Sequence, residues 1–231
     1  VTNAALTPAI HLSTGTGTLT TGAGGSITAG SAGAGTVAIT GDDLVLGDVV
    51  TADGGITLRP ETVVKTIGLN DSAGDFSLTT AELLLLDSTG VVTIGRVDGS
   101  GTISVGSAGA INLSGESYDL TLRGSAASVA FNFAGADNLS LKDNGVLIFD
   151  LGTGDITSPG ASTNDITIGG ISGLIRFASA GAVGSGIAPL LTFVAALGQS
   201  TTSGAVYLEN GAALSIDRKS TRLNSSHGKL S

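Results

Sequence analysis

The residues able to do chemistry are few and scattered. Outside the last fifteen positions His11 is the only histidine, and there is no Cys. A histidine-based zinc cluster and a Ser-His-Asp arrangement therefore lack parts. His11 lies in a Thr-rich stretch and reads as solvated. Gly22, Gly24 and Gly25 lead into a strand and not a helix, and no Walker-type lysine loop occurs, so no phosphate cradle follows. Asp42, Asp43, Asp48, Asp53, Asp71, Asp75, Asp87 and Asp98 fall at predicted corners between strands, where an Asp side chain bonds the turn backbone. A polysaccharide lyase or hydrolase needs carboxylates converging on one face, with a basic group or a further carboxylate. That convergence is not visible, so the chain is read as no enzyme. Asp42-Asp43 is the best pair for calcium, whose ligands are oxygens, but the Gly-Gly-x-Gly-x-Asp nonapeptide is absent. The pair reads as a solvated turn. The alternating Thr14, Thr16, Thr18 and Thr20 are not repeated by later segments, which removes an ice-binding face. No catalytic, cofactor-binding or metal-ligating residue is assigned, and no cofactor is expected.

The elements that carry these residues are short strands. The 231 residues include 37 Gly but no Met or Trp, two Tyr and six Phe, while the mean hydropathy is positive. Small aliphatic side chains must make the core. That suits regular stacking better than a globule. Two-residue alternation gives inward pairs at Val37/Ile39, Leu44/Leu46, Ile56/Leu58, Ile67/Leu69, Phe76/Leu78, Val92/Ile94, Ile103/Val105 and Ile111/Leu113. They continue at Leu120/Leu122, Val129/Phe131, Leu139/Leu141, Val146/Ile148, Ile166/Ile168, Ile175/Phe177, Leu191/Phe193 and Val206/Leu208. Hairpin dipeptides are too few for so many strands: Asp53-Gly54, Asp98-Gly99, Asn144-Gly145 and Asn210-Gly211. The pattern predicts an all-β, right-handed parallel β-helix over 1–216, with the antiparallel β-sandwich as the alternative. Thr79 and Thr80 followed by Ala81-Glu82-Leu83-Leu84-Leu85-Leu86 predict a short helix near 80–86 on a corner.

Ten basic against 19 acidic residues argue against nucleic acid, which needs clustered Lys and Arg. The longest apolar stretch, Ile187 to Leu197, contains Pro189 and is shorter than the ~20 residues of a membrane span. No membrane insertion is expected. The opening Val1-Thr2-Asn3 carries no basic and apolar leader, so the chain is expected to be an interior piece of a longer protein.

Gly55-Ile56-Thr57-Leu58-Arg59-Pro60-Glu61-Thr62, Thr66-Ile67-Gly68-Leu69, Leu78 to Leu86 and Val92-Thr93-Ile94-Gly95-Arg96 resemble a repeat of filamentous-haemagglutinin-like exoproteins. These are secreted passengers of two-partner secretion, related in architecture to autotransporter passengers. The resemblance is best over 54–105 and only compositional over the rest of 1–216. It implies a cell-surface or secreted protein of a Gram-negative bacterium and export through an outer-membrane pore recognised by a region absent here. It also implies an adhesive or matrix role for the whole protein, with a host or matrix surface as partner. This piece would be a shaft segment; the alternatives are an adhesive module touching host or glycan surfaces directly, or a polysaccharide-active enzyme. Without end caps the fragment is expected to self-associate end to end. Residues 217–231 (DRKSTRLNSSHGKLS) resemble the translation of a short-read sequencing adapter and are expected to form a non-native, disordered tail.

Overall fold

The computed structural model describes residues 2–3, 9–30, 34–133, 138–160 and 163–216. The tail 217–231, with the reading attached to it, lies outside these residues. The chain is nearly all β, and every strand pair among the described residues is parallel. An antiparallel sandwich is thereby removed. The principal sheet has nine strands in chain order: Ala9–Ser13, Thr36–Thr40, Gly55–Arg59, Val91–Gly95, Asp119–Arg123, Val146–Asp150, Leu174–Ser179, Ala196–Leu197 and Ser215–Ile216. Between visits as far as Leu174–Ser179 the chain passes through a second and then a third strand position; after it, each return passes through one strand only. The second positions form a two-stranded and a five-stranded sheet, and the third positions a four-stranded and another five-stranded sheet.

The reason is side-chain alternation in register. Val37, Ile56, Val92, Leu120, Leu147 and Ile175 form one inward row, and Ile39, Leu58, Ile94, Leu122, Phe149 and Phe177 form the next. All are at most 1 % exposed. Each strand is too short to bury its face alone, so burial comes only when the next circuit lays an identical face beside it. Phe149 and Phe177 stack with ring centroids 5.6 Å apart and planes at 21°; Phe131 meets Phe149 edge-on at 6.4 Å. Gly95 pairs with Arg123 and has φ +103; a Cβ there would strike the Arg123 carbonyl oxygen. Only glycine fits there.

Two inward pairs are corrected. In Val146–Asp150 the buried residues are Leu147 and Phe149, not Val146 and Ile148. In Leu190–Phe193 they are Leu190 and Thr192, while Phe193 is 43 % exposed and Leu191 only half-buried. Both segments hold consecutive apolar residues, so alternation alone leaves the phase open. Pairing with Leu120/Leu122 and with Ile166 settles it. Thr192 is accepted inside because its hydroxyl donates to Asn210 Oδ1 at 2.8 Å.

The circuits are not uniform. Val92, Leu120, Leu147 and Ile175 succeed one another by 28, 27 and 28 residues. Before them, Val37 to Ile56 takes 19 and Ile56 to Val92 takes 36. The long circuit repairs the short one. Its extra strand Phe76–Leu78 pairs with Ile67–Leu69 only nine residues upstream and packs on Asp43–Val45. Phe76 and Leu78 fill that level with no exposed surface. The helix follows at Thr80–Leu83, a single turn that ends sooner than 86 because Leu86 already enters the strand Leu86–Asp87. A capping box closes its start: the Glu82 N–H donates to Thr79 Oγ1 at 3.2 Å and the Thr79 N–H to Glu82 Oε2 at 2.8 Å. Glu82 Oε1 also accepts from the Leu46 N–H at 3.0 Å, tying helix to short circuit.

Candidate functional site

Asp42, Asp48, Asp53, Asp71, Asp75 and Asp98 lie at corners, where their spacing places them, whereas Asp43 and Asp87 lie within strands. Asp42 accepts from the Thr62 N–H at 2.7 Å and the Thr62 hydroxyl at 2.6 Å. The hydroxyl bond is the main cause that keeps its carboxyl below the ordinary range. With both oxygens engaged by the next circuit, Asp42 is not an open ligand, and Asp43 beside it lies in a strand. Asp48 accepts from the Gly24 N–H at 2.7 Å; here Gly22, Gly24 and Gly25 make the turn before the strand Ile27–Ala29. Asp71 is pushed upward by burial, but the Ser104 and Ser107 hydroxyls and the Ala73 N–H outweigh that and lower it. Asp75 holds the Thr66 N–H and hydroxyl, and Lys65 stands 3.5 Å away. Asp98 pairs with Arg96 at 2.6 Å. Further on, Asp119 takes the Val146 N–H at 3.0 Å, and Asp155 the Ala182 N–H at 2.7 Å.

The bonds of Asp42, Asp48, Asp119 and Asp155, and that of Asp71 to Ser104, reach an adjacent circuit, whereas Asp75 and Asp98 bond residues nine and two positions away within their own. The first group fastens adjacent circuits to one another. Among the described residues no group of three or more His, Asp or Glu side chains is placed to hold a metal. His11 faces outward from the strand Ala9–Ser13, exposed.

One polar node was not legible in the sequence. Asn138 and Asp165 are both 0 % exposed. Asp165 accepts from the Leu191 N–H at 2.9 Å and from Asn138 Nδ2 at 3.1 Å. Asn138 in turn accepts from the Phe133 N–H at 2.7 Å and donates to the Phe133 carbonyl at 2.9 Å. Burial drives the Asp165 carboxyl upward, the Leu191, Ser158 and Asn138 bonds oppose it, and the balance stays above the ordinary range. In sequence, Asn164-Asp165 is one more polar corner. Only stacking on Asn138, 27 residues earlier, encloses it.

The surface feature of most note is apolar. Ile171 is 97 % and Phe193 43 % exposed. Together with Val194, Ala195, Ala213 and Leu214 they line an open groove of about 550 Å³ beside the last described strands. No protein-family model, no curated protein and no solved structure matches the chain.

Proposed function

We propose that residues 1–216 form a segment of a right-handed parallel β-helix, a solenoid that serves as a structural shaft in a large secreted surface exoprotein of a Gram-negative bacterium. The observation that carries the reading is the nine-stranded in-register parallel sheet, visited once per circuit. Such a stack buries a core without large aromatics and transmits load along a row of backbone hydrogen bonds. Corner carboxylates strengthen the same architecture, since Asp42, Asp48 and Asp155 each bond the backbone of an adjacent circuit. The likeness of residues 54–105 to filamentous-haemagglutinin-like repeats supplies the secreted, surface-bound setting and export through an outer-membrane pore. In this reading the adhesive contacts belong to the parent protein, and this stretch projects them. A second reading, an adhesive module that itself touches a host or glycan surface, is favoured only by the Ile171–Phe193 groove.

Pulling the chain between its ends by single-molecule force spectroscopy tests the shaft. The segments with 27- and 28-residue spacing should come away as steps of about 9–10 nm, at ~3.5 Å per residue, and the chain should show no saturable binding on a glycan array. Collapse at low force with no such steps, or saturable binding of one glycan class that Phe193→Ala abolishes, would replace the shaft with the second reading.

A further inference from the structure

Three tripeptides in residues 1–216 have the Asn-x-Ser pattern of an N-linked sugar acceptor: Asn70-Asp71-Ser72, Asn112-Leu113-Ser114 and Asn138-Leu139-Ser140. A fourth, Asn224-Ser225-Ser226, lies outside the described residues. The pattern asks two things of a folded chain. The amide nitrogen must be free to meet an activated sugar, and the hydroxyl two residues on must share an accessible, bent stretch of backbone. The three differ in both.

Asn138 has no exposed surface, and its Nδ2 is spent on the Phe133 carbonyl and Asp165 Oδ1. Asn70 is held in the left-handed region at φ 50, with Nδ2 donating to the Gly109 carbonyl at 3.0 Å. Asn112 is the opposite case. It points outward, exposed, between the buried Ile111 and Leu113. Its Oδ1 accepts from the Ser114 N–H at 3.0 Å, an Asx turn that folds Ser114 back toward the amide. Its Nδ2 makes no hydrogen bond to a described residue. Ser114 and Gly115 are both exposed, and open space surrounds Gly115. The strand Ile111–Leu113 is the first of its sheet, with the helix Thr80–Leu83 packed against it.

We propose that Asn112 is the acceptor of an N-linked sugar in the folded chain, selected over Asn70 and Asn138 by exposure, a free amide and the Asx turn. The co-reactant is a glycosyl phosphate, nucleotide-linked or lipid-linked, brought by a glycosyltransferase. Nδ2 attacks the anomeric carbon; the new C–N bond forms as the C–O bond to phosphate breaks. The phosphate leaves with the bonding pair, and one Nδ2 proton passes to the enzyme's base. Nothing is oxidised or reduced. The inference does not depend on the shaft reading.

The test uses purified folded chain carrying Asn224→Gln. One arm offers a soluble bacterial N-glycosyltransferase with a nucleotide-activated hexose; the other offers a membrane oligosaccharyltransferase with a lipid-linked glycan. Peptide mapping by mass spectrometry reads occupancy at each Asn. The expected result is sugar on Asn112 in at least one arm, which identifies the donor, with Asn70 and Asn138 bare. Asn112→Gln and Ser114→Ala should abolish it and Ser114→Thr retain it, with circular dichroism unchanged. A folded chain bare at Asn112 in both arms, or carrying its sugar on Asn70 or Asn138, overturns the proposal.

Discussion

Two buried carboxylates pull stability in opposite directions with pH. Asp42 is lowered, chiefly by the Thr62 hydroxyl, so its contribution is present above the ordinary Asp value and lost as acid titrates the folded form. Asp165 is raised, chiefly by burial. Its contribution is complete below the ordinary value, 3.8, and is lost as pH rises through the folded one. Urea unfolding of wild type and Asp165→Asn at pH 4 and pH 7 measures this. The advantage of wild type over the variant should be larger at pH 4. For Asp42→Asn the advantage should be larger at pH 7 than at pH 3. Equal differences at both pH values would mean that neither carboxylate is held as the hydrogen bonds indicate. A lone buried carboxylate without a cation is rare because desolvation opposes its charge, and here two N–H donors offset part of that cost.

At the scale of the strand, register decides which apolar residues carry the core. Val146-Leu147-Ile148-Phe149 satisfies a two-residue alternation in either phase. The structure chooses Leu147 and Phe149, and Phe149 lies between Phe131 and Phe177. Phe149→Ala should therefore cost about 3–5 kcal/mol, a large side chain lost from a filled site. Ile148→Ala, on the half-buried outer face, should cost less than about 1 kcal/mol. Equilibrium denaturation of the two variants separates the phases, and a larger loss at Ile148 would reverse the register. The helix was legible to its start, since Thr79 is the N-cap its residue type suggests, and the structure adds Glu82 to close a capping box. The strand Phe76–Leu78 was legible as a strand but not in its place. Nothing local announces that it fills a level left by a 19-residue circuit.

For the whole molecule, charge is the controlling long-range term. The chain carries a net charge of −9. In residues 1–216, 6 basic residues face 18 acidic ones. Salt weakens the Lys65–Asp75, Arg96–Asp98, Arg123–Asp150 and Lys142–Asp119 pairs, but surface pairs contribute only about 0–1 kcal/mol each. Salt also screens the excess of acids, and that repulsion involves every coil. Relief of repulsion should win: the calorimetric Tm should rise between about 0.01 M and 0.15 M salt, over which the Debye length falls from ~30 to ~8 Å. A falling Tm would show that the four pairs outweigh the net charge. The same screening permits the end-to-end association expected of stacked edges, so the sedimentation coefficient should climb with salt as well.

What the sequence by itself determined is local. Alternating small aliphatics separated by Gly, Asp and Asn prescribe short strands and polar corners, and Thr79 before Ala81-Glu82-Leu83 prescribes one capped turn, because these preferences act within a few residues. What only the tertiary structure decided is which circuit lies on which. The offsets of 19 and 36, the phase of Val146–Asp150 and the enclosure of Asp165 by Asn138 all depend on the neighbouring circuit. Alternation fixes a side chain's phase only modulo two, and a parallel stack removes the ambiguity by the face it offers from some 27 residues away.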